Sequence, residues 1–319
     1  MESATTTRNP IESGQLESPG AGVGWPLQAR EHSLLATLRD YIALTKPRII
    51  SLLLLTTLAT MFAADPAGPA LATVLWTMLG GYLAAGGAGA INHYIDRDRD
   101  ARMARTRGRP LVAGRIEPRH GLMFGVALGA LATVQLAITV NPLAAALALT
   151  GLLGYVFVYT MWLKPLTPQN IVIGGAAGAM PPLVGWAAAT GGLSIDALYP
   201  FGIVFLWTPP HFWALSLLIK DDYARTGVPM LPVVRGEAVT RRQILAYTLI
   251  LVAFTLMPVA TGFLGAIYAV AAALLGGGFI ALAVRLLRRP SRRAALRLYL
   301  SSLAYLALLF CAMAADRVI

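Results

Sequence analysis

The sequence predicts an all-α, polytopic membrane protein with nine transmembrane helices, on three observations. Of the 319 residues, 57% are hydrophobic and 13% are charged, whereas soluble domains carry about 25% charged residues. The mean hydropathy of +0.65 reflects apolar runs about twenty residues long, which a bilayer requires and a soluble core does not. The basic residues are concentrated between alternate runs rather than spread along the chain.

Nine apolar segments are long enough to cross a bilayer, and Pro, Gly or charged residues bound each of them. Because lipid offers the backbone no hydrogen-bond partners, runs of this length without alternation are predicted to be helices. Their glycine and alanine content favours close contact between helices. The predicted spans are residues 48–64, 69–92, 120–140, 142–161, 169–190, 197–219, 243–262, 264–286 and 296–315.

The basic residues predict how the chain is oriented. All of the 26 Lys and Arg residues except Arg317 lie before or at the start of span 1, or close to the connections 2–3, 4–5, 6–7 and 8–9. By the positive-inside rule, the N-terminus and these connections face the cytoplasm of a cell (inner) membrane, and the C-terminus lies outside. Despite the net charge of +11, this distribution excludes nucleic acid as a partner because the cations form no continuous stripe.

Residues 1–40 are predicted to be a disordered cytoplasmic N-terminal tail, and residues 41–319 the membrane-embedded domain. The tail mixes polar residues, glycine, proline and acids, and it has no apolar segment of the kind that a signal peptide needs. The single cysteine, Cys311, forms no internal disulfide.

The strongest local motif is the acidic segment that follows span 2. Asn92, Asp96 and Asp100 recur every four residues, so they share one face of a helix. Oxygen-bearing side chains in such a row suit Mg²⁺, which prefers carboxylates together with water and phosphate oxygens. The alternative is an ordinary charged helix end, which does not account for an asparagine buried one turn below the acids. Asp98 lies off this face and is expected to be solvated, beside a neighbouring arginine.

A basic run follows the acidic segment within three turns. Arg102, Arg105 and Arg109 are candidates for diphosphate binding, because the guanidinium fork donates paired hydrogen bonds to phosphate oxygens. The alternative is charge that only sets the topology. Acids for a metal beside arginines for phosphate together indicate a diphosphate pocket.

The connection between spans 6 and 7 opens with a second charged group. Asp221 and Asp222 are candidates for a second metal site, and Lys220 for a phosphate contact; the alternative is charge at a helix end. His211 lies inside span 6, where an ionisable group is a functional candidate unless it is a hydrogen-bonded core residue.

Two weaker patterns concern the start and end of spans. Tyr155 and Tyr159 near the end of span 4 are candidate substrate contacts, with an interfacial aromatic belt as the alternative. The pairs Lys46-Pro47 and Lys164-Pro165 precede spans 1 and 5. They favour a duplication into two four-helix units, spans 1–4 and 5–8, plus a ninth helix, although coincidence between short motifs is the alternative.

Together these residues resemble the UbiA superfamily of intramembrane prenyltransferases. The segment from Asn92 to Pro110 is similar to its first aspartate-rich motif, N-x3-D-x3-D followed by M-x-R-T-x-x-R-P. Segments 159–175, 181–186 and 210–233 resemble the haem O synthase branch, and the similarity extends over about residues 40–315. Arg225 and Thr226 depart from the second aspartate motif of the wider superfamily, and Pro165 stands where a basic residue is more frequent.

The resemblance implies a UbiA-like bundle and farnesyl transfer from farnesyl diphosphate to a vinyl group of haem B, giving haem O, with Mg²⁺ as cofactor. It also implies that the protein is embedded in a lipid bilayer and that haem A synthase is a possible partner. Asn92, Asp96, Asp100 and Lys164 would be catalytic, and His93 or His211 would contact the haem.

Two other functions are compatible with parts of the sequence. A prenyltransferase that acts on an aromatic quinone precursor would keep the first aspartate motif, but it would not need the segments 210–213 and 229–232. A nine-helix transporter would place ionisable groups near the bilayer midplane, whereas the charges here gather at one membrane face.

Overall fold

Nine helices long and apolar enough to cross a membrane are present in a computed structural model that describes residues 33–319. Their number agrees with the prediction, and no strand occurs in this range. Spans 1 to 9 are Pro47–Ala64, Leu71–Ala101, Pro118–Thr139, Pro142–Leu166, Asn170–Thr190, Ile195–Leu218, Gly236–Ala260, Ala266–Arg288 and Arg292–Val318.

Span 2 extends well beyond its predicted end at residue 92. It is one continuous helix to Ala101. The alternating Asp and Arg residues that follow the apolar segment include no helix breaker, so the helix continues through them. Asn92, Asp96 and Asp100 therefore lie on a rigid element, and all three are buried. Span 7 likewise begins earlier than predicted, at Gly236.

The two largest clusters of buried apolar residues lie between the spans. One is formed mainly by spans 6 to 9 and contains the fully buried Trp213, Tyr268 and Phe310. The other lies among spans 1 to 5. Span 1 contributes to both, through Ala59 and Ala63 to the first and Met61 to the second.

Glycines bring neighbouring helices into backbone contact, as their abundance predicts. A β-carbon added at Gly87 of span 2 would lie 2.7 Å from the carbonyl oxygen of Gly125 in span 3. One added at Gly185 of span 5 would overlap the carbonyl oxygen of Thr57 in span 1. Small residues thus allow the close packing that is typical of membrane bundles.

A helix, Leu34–Thr45, precedes span 1 and extends across residue 40, where the sequence places the end of the N-terminal tail. The helix Leu34–Thr45 begins after Ser33, whose hydroxyl accepts a hydrogen bond from the backbone N–H of Ala36 and caps the first turn. Asp40 is buried and accepts a hydrogen bond from Arg115 Nε at 2.8 Å. The prediction for residues 1–32 lies outside the described residues.

Two irregular elements flank the acidic segment. The second half of span 4, Gly154–Leu163, is a π-helix, a wider turn that is frequent at functional sites. Span 6 ends at Leu218, and a separate short helix, Lys220–Arg225, follows it. The acidic residues after span 6 thus lie on a separate short helix, whereas the acidic residues at the end of span 2 belong to the span 2 helix itself.

Candidate active site

The centre of the site is the acidic stripe, which we define as Asn92, Asp96 and Asp100. The Nδ2 atom of Asn92 donates to Asp96 Oδ2 at 2.8 Å. The three residues are no more than 5% exposed. They share one helix face, as their spacing predicts.

Two lysines from distant parts of the sequence contact this stripe. Lys46 Nζ donates to Asn92 Oδ1 at 2.6 Å, and Lys164 Nζ donates to Asp96 Oδ2 at 2.5 Å. Each lysine precedes the proline of a Lys-Pro pair. The feature that indicated a repeat in the sequence therefore brings two ammonium groups to one helix face. Lys46 was not among the predicted site residues.

Arginines complete the cationic surroundings of the stripe. Arg109 pairs with Asp100, and Arg99 Nη1 lies 3.2 Å from Asp96 Oδ1. Arg105 lines the adjacent cavity. Arg102 is exposed and does not line the cavity, so only part of the predicted arginine set is assembled there.

A cavity of about 450 Å³ opens beside the stripe. It is lined by Ala43, Lys46, His93, Arg105, Gly108, Arg109, Pro110 and Arg115. Four of these residues are cations, and no carboxylate of residues 33–319 lines the cavity. His93 Nδ1 is buried there and has no hydrogen-bond partner in the described part of the chain. A cavity with this lining suits a polyanion.

The π-helix of span 4 forms another wall of the site. Thr160 Oγ1 accepts a hydrogen bond from Asn92 Nδ2 at 3.2 Å. Lys46 Nζ lies 5.9 Å from the ring centroid of Tyr155, and this ring stacks on Tyr159 at 5.4 Å. The two predicted tyrosines therefore lie close to the stripe rather than only in an aromatic belt.

Burial and neighbouring charges alter the protonation of Lys46. Burial, reinforced by the positive charges of Arg109 and Lys164, lowers the pKa of Lys46 to about 7. An anion in the cavity would oppose this effect, because it would favour the charged form of the amine.

The short helix Lys220–Arg225 reaches the site through a tyrosine rather than through its acids. Tyr223 is buried in one apolar cluster with Met103, and Tyr159 packs against that cluster. Burial raises the pKa of Tyr223 to about 12, so its hydroxyl stays neutral. Sequence reasoning missed Tyr223, although its place beside Asp222 was a signal.

The predicted second metal site is not assembled. Asp221 is exposed, while Asp222 is buried and pairs with Arg225. Lys220 donates to Glu237 at 2.7 Å, and this hydrogen bond raises the pKa of Lys220. Consecutive residues of a helix point in different directions, and within residues 33–319 no hydrogen bond or ion pair joins Lys220, Asp221 or Asp222 to the stripe.

His211 lies in a separate aromatic cluster between spans 6 and 9. Its Nδ1 atom is 2.7 Å from the hydroxyl oxygen of Ser302. Its ring stacks against Trp207 at 4.1 Å and Tyr299 at 4.9 Å. Of the two predicted haem contacts, His93 lines the cationic cavity and His211 does not.

The stripe fits a magnesium ion by the chemistry of its donors. It offers two carboxylates and one amide oxygen, a set that Mg²⁺ accepts when water and phosphate oxygens complete its coordination. Lys46, Lys164 and Arg109 contact these oxygens, so the stripe attracts cations. Among residues 33–319 there is no cluster of three or more His, Cys, Asp or Glu side chains that could hold a metal, so the stripe supplies only part of a coordination shell.

Comparisons with known proteins agree with this architecture. A profile described as the UbiA prenyltransferase family matches residues 53–310. The chain is 56% identical over 282 residues to a protoheme IX farnesyltransferase of Roseiflexus sp. strain RS-1, covering 88% of this chain and 53% of that protein. It is 54% identical over 280 residues to the protoheme IX farnesyltransferase of Symbiobacterium thermophilum, covering 87% of this chain and 94% of that protein.

The chain thus spans about half the length of several of the relatives that it matches, and nearly the full length of others. A solved structure with the same fold is that of a UbiA homologue from Archaeoglobus fulgidus bound to GPP and Mg²⁺. The TM-score is 0.62 at 16% identity, and the match covers 86% of this chain and 99% of that one.

Proposed function

The chain is a multi-pass membrane protein that belongs to the UbiA prenyltransferase family, and we propose that it transfers a farnesyl group from farnesyl diphosphate to a vinyl group of haem B, giving haem O. The observation that carries the proposal is the cationic cavity beside a buried acidic stripe. Relatives named protoheme IX farnesyltransferase, at 54–56% identity, support this choice of substrates.

The diphosphate group occupies the cationic cavity in this proposal. Arg105 and Arg109 line the cavity, and Lys164 contacts the stripe next to it. Their charged donors bind the phosphate oxygens with charge-assisted hydrogen bonds, which are stronger than neutral ones. Arg109 has an internal partner, Asp100, and exchanges it for phosphate when the substrate enters.

Asn92, Asp96 and Asp100 hold Mg²⁺ in this proposal. When bound, the ion supplies charge neutralisation to the leaving diphosphate. The three side chains are positioned for this role by the continuous helix of span 2 and by the hydrogen bond between Asn92 and Asp96. The A. fulgidus homologue with bound Mg²⁺ supports a metal of this kind in the fold.

The surrounding helices favour an ionising reaction. The C–O bond of farnesyl diphosphate breaks, the electron pair leaves with the diphosphate, and an allylic cation remains. Apolar spans exclude bulk water from this cation, and the ring faces of Tyr155 and Tyr159 stabilise positive charge. The vinyl π electrons then form the new C–C bond, and one water adds to the resulting cation and releases a proton.

His211 is the histidine that we assign to haem B. His93 lies among the cations of the diphosphate cavity, whereas His211 lies outside that cavity, with its ring stacked on Trp207 and Tyr299 and its Nδ1 atom beside the Ser302 hydroxyl. An imidazole is also a common axial ligand of haem iron.

The site lies on the cytoplasmic side of a cell membrane in this proposal. The connections 2–3, 4–5, 6–7 and 8–9, near which 20 of the 26 Lys and Arg residues lie, are at the same end of the spans as the stripe. A haem A synthase would be a natural consumer of the product.

Product identification tests the function. The purified full chain is incubated with haem B, farnesyl diphosphate and Mg²⁺, and the pigment is analysed by mass. A product with the mass of haem O is expected, and a chelator should abolish diphosphate release. Prenylation of 4-hydroxybenzoate instead of haem B would favour the quinone-precursor alternative, and solute uptake without bond cleavage would favour a transporter.

A further inference from the structure

The backbone of Lys46 adopts an unusual conformation. Its φ of 59° and ψ of 55° are left-handed, and within residues 33–319 it is the one non-glycine residue with a positive φ. A left-handed conformation is unfavourable for a non-glycine residue, because its β-carbon comes too close to the following carbonyl oxygen. Such strain persists only where the surroundings impose it, and it is frequent at functional sites.

The conformation turns the chain from the helix Leu34–Thr45 into span 1 and directs the lysine side chain into the site. Lys46 makes no side-chain capping hydrogen bond at either helix. Its ammonium instead contacts Asn92 Oδ1, and its side chain lines the cationic cavity. A glycine would adopt this backbone conformation without strain. The lysine side chain, and not the backbone, therefore accounts for a lysine at this position.

The atom that Lys46 contacts is the one that a metal would need. An amide side chain binds a cation through its oxygen, because the nitrogen is a donor only. Lys46 Nζ lies 2.6 Å from the amide oxygen of Asn92, and Lys164 Nζ lies 2.5 Å from a carboxylate oxygen of Asp96. A metal ion and the two ammonium groups therefore compete for the same oxygens.

We propose that Lys46 acts together with Lys164 as a tethered counter-cation. The two ammonium groups hold the oxygens of the stripe while no substrate is bound, and they move to phosphate oxygens when the diphosphate enters with its metal. This inference rests on the proposed function. Lysine suits the role because its ammonium is a compact charge on a flexible four-carbon stem.

The exchange couples the binding of metal and diphosphate. A metal ion alone must displace the two ammonium groups into a cavity that already holds Arg105 and Arg109. A metal–diphosphate complex gives the displaced ammonium groups a new anionic partner. Each ligand therefore raises the affinity for the other, and the coupling is reciprocal.

Lys46→Met tests the exchange because methionine is nearly as long as lysine but carries no charge. Two affinities are measured on the detergent-solubilised full chain: that of Mn²⁺ alone, by electron paramagnetic resonance, and that of inorganic pyrophosphate in saturating Mg²⁺. We expect Mn²⁺ to bind roughly tenfold more tightly, because it no longer displaces the ammonium of Lys46 from Asn92. We expect pyrophosphate to bind roughly tenfold more weakly, because it loses one charge-assisted hydrogen bond.

Three further variants distinguish the effect of the Lys46 amine from the effect of backbone strain and from the effect of a nearby positive charge. Lys46→Gly should unfold at the same or a higher temperature than the wild type, yet lose pyrophosphate affinity as Lys46→Met does. Lys46→Arg should restore part of that affinity. Arg48→Met removes an exposed cation two residues away and should leave both affinities unchanged.

The inference is overturned if Lys46→Met binds pyrophosphate as the wild type does, or binds Mn²⁺ no more tightly. Either result leaves the proposed function intact as long as the wild type produces haem O. A wild-type chain that binds no pyrophosphate in the presence of Mg²⁺ would instead refute the proposed function itself.

Discussion

Asp96 is the residue on which the contacts of the site converge. Its carboxylate accepts hydrogen bonds from Asn92, Arg99 and Lys164, and it is 2% exposed. A buried carboxylate needs such partners, because burial of an uncompensated charge is costly. In the proposed function, the same oxygens would bind the metal ion.

Asp96→Asn should therefore lower turnover by roughly a hundredfold or more. The substitution keeps the size of the side chain but removes the charge that a metal and Lys164 share. Diphosphate release from farnesyl diphosphate measures the effect, and size-exclusion chromatography checks that the protein remains folded.

Asp98→Asn is the matched control for this change. Asp98 lies on the same helix, but its side chain is 81% exposed and forms an ion pair with Arg97. This agrees with the prediction that Asp98 lies off the stripe and is solvated. Its turnover should stay within about twofold of the wild type, since exposed ion pairs contribute little. Equal losses in the two variants would contradict the assignment of the stripe.

His211→Phe tests the assignment of the haem contact. Phenylalanine preserves the stack between Trp207 and Tyr299, and the Ser302 hydroxyl keeps its hydrogen bond to the carbonyl oxygen of Tyr299. We expect the affinity for haem B, followed by its absorbance, to fall roughly tenfold or more because an imidazole is lost. The affinity for farnesyl diphosphate should not change.

The exposed His120, at the start of span 3, supplies the control. His120→Phe should leave haem binding as it is. Should His93→Phe lose haem affinity while His211→Phe keeps it, the haem contact would belong to His93.

At the scale of elements, close helix contacts determine where the site residues lie. Span 5 packs on span 1 at Gly185, where the carbonyl oxygen of Thr57 leaves no room for a β-carbon. Lys46 and Lys164 lie just before span 1 and at the end of span 4. Spans 1 and 5 follow these two lysines along the chain, so the contact between spans 1 and 5 helps to set the distance between the two ammonium groups.

Gly185→Ala should destabilise the fold by about 1 to 3 kcal/mol, the usual cost of an overpacked contact. The contact partner is backbone rather than a mobile side chain, so relief requires the helices to separate. Thermal unfolding in detergent measures the loss.

Gly178→Ala is the control for this prediction, because a β-carbon at Gly178 meets no atom within 4 Å. It should leave the unfolding temperature unchanged or raise it slightly, since alanine is the better helix former. An equally stable Gly185→Ala variant would mean that the contact with Thr57 is not tight.

At the scale of the whole molecule, charge decides orientation. The stripe and its cations lie at one end of the bundle, and the connections at that end carry the basic residues. Basic residues are retained on the cytoplasmic side, which predicts that substrates enter from the cytoplasm or the inner leaflet.

Cysteine labelling in intact cells tests this orientation. In a Cys311→Ser background, which removes the single native cysteine, Ser194→Cys lies in the exposed connection between spans 5 and 6. It should react with a membrane-impermeant maleimide added from outside. Ala113→Cys, exposed in the connection between spans 2 and 3, should react only after permeabilisation. The reverse pattern would invert the topology.

The sequence by itself determined the number of spans and the alignment of the acidic stripe, because both depend on local properties of the chain. Whether a segment enters lipid depends on its own length and polarity, and the alignment of Asn92, Asp96 and Asp100 depends only on the repeat of one helix. It also predicted a second metal site at Asp221 and Asp222, whereas in the structure Asp221 is exposed and Asp222 pairs with Arg225.

Only the tertiary structure decided which distant residues join the stripe. The contacts of Lys46 with Asn92 and of Lys164 with Asp96 require the ends of separate helices to meet, and no local pattern specifies such a meeting. The same is true of Tyr223, which reaches the site, and of His211, which lies in another cluster. Periodicity along one helix assigns a side chain to a face, but packing between helices decides what that face contacts.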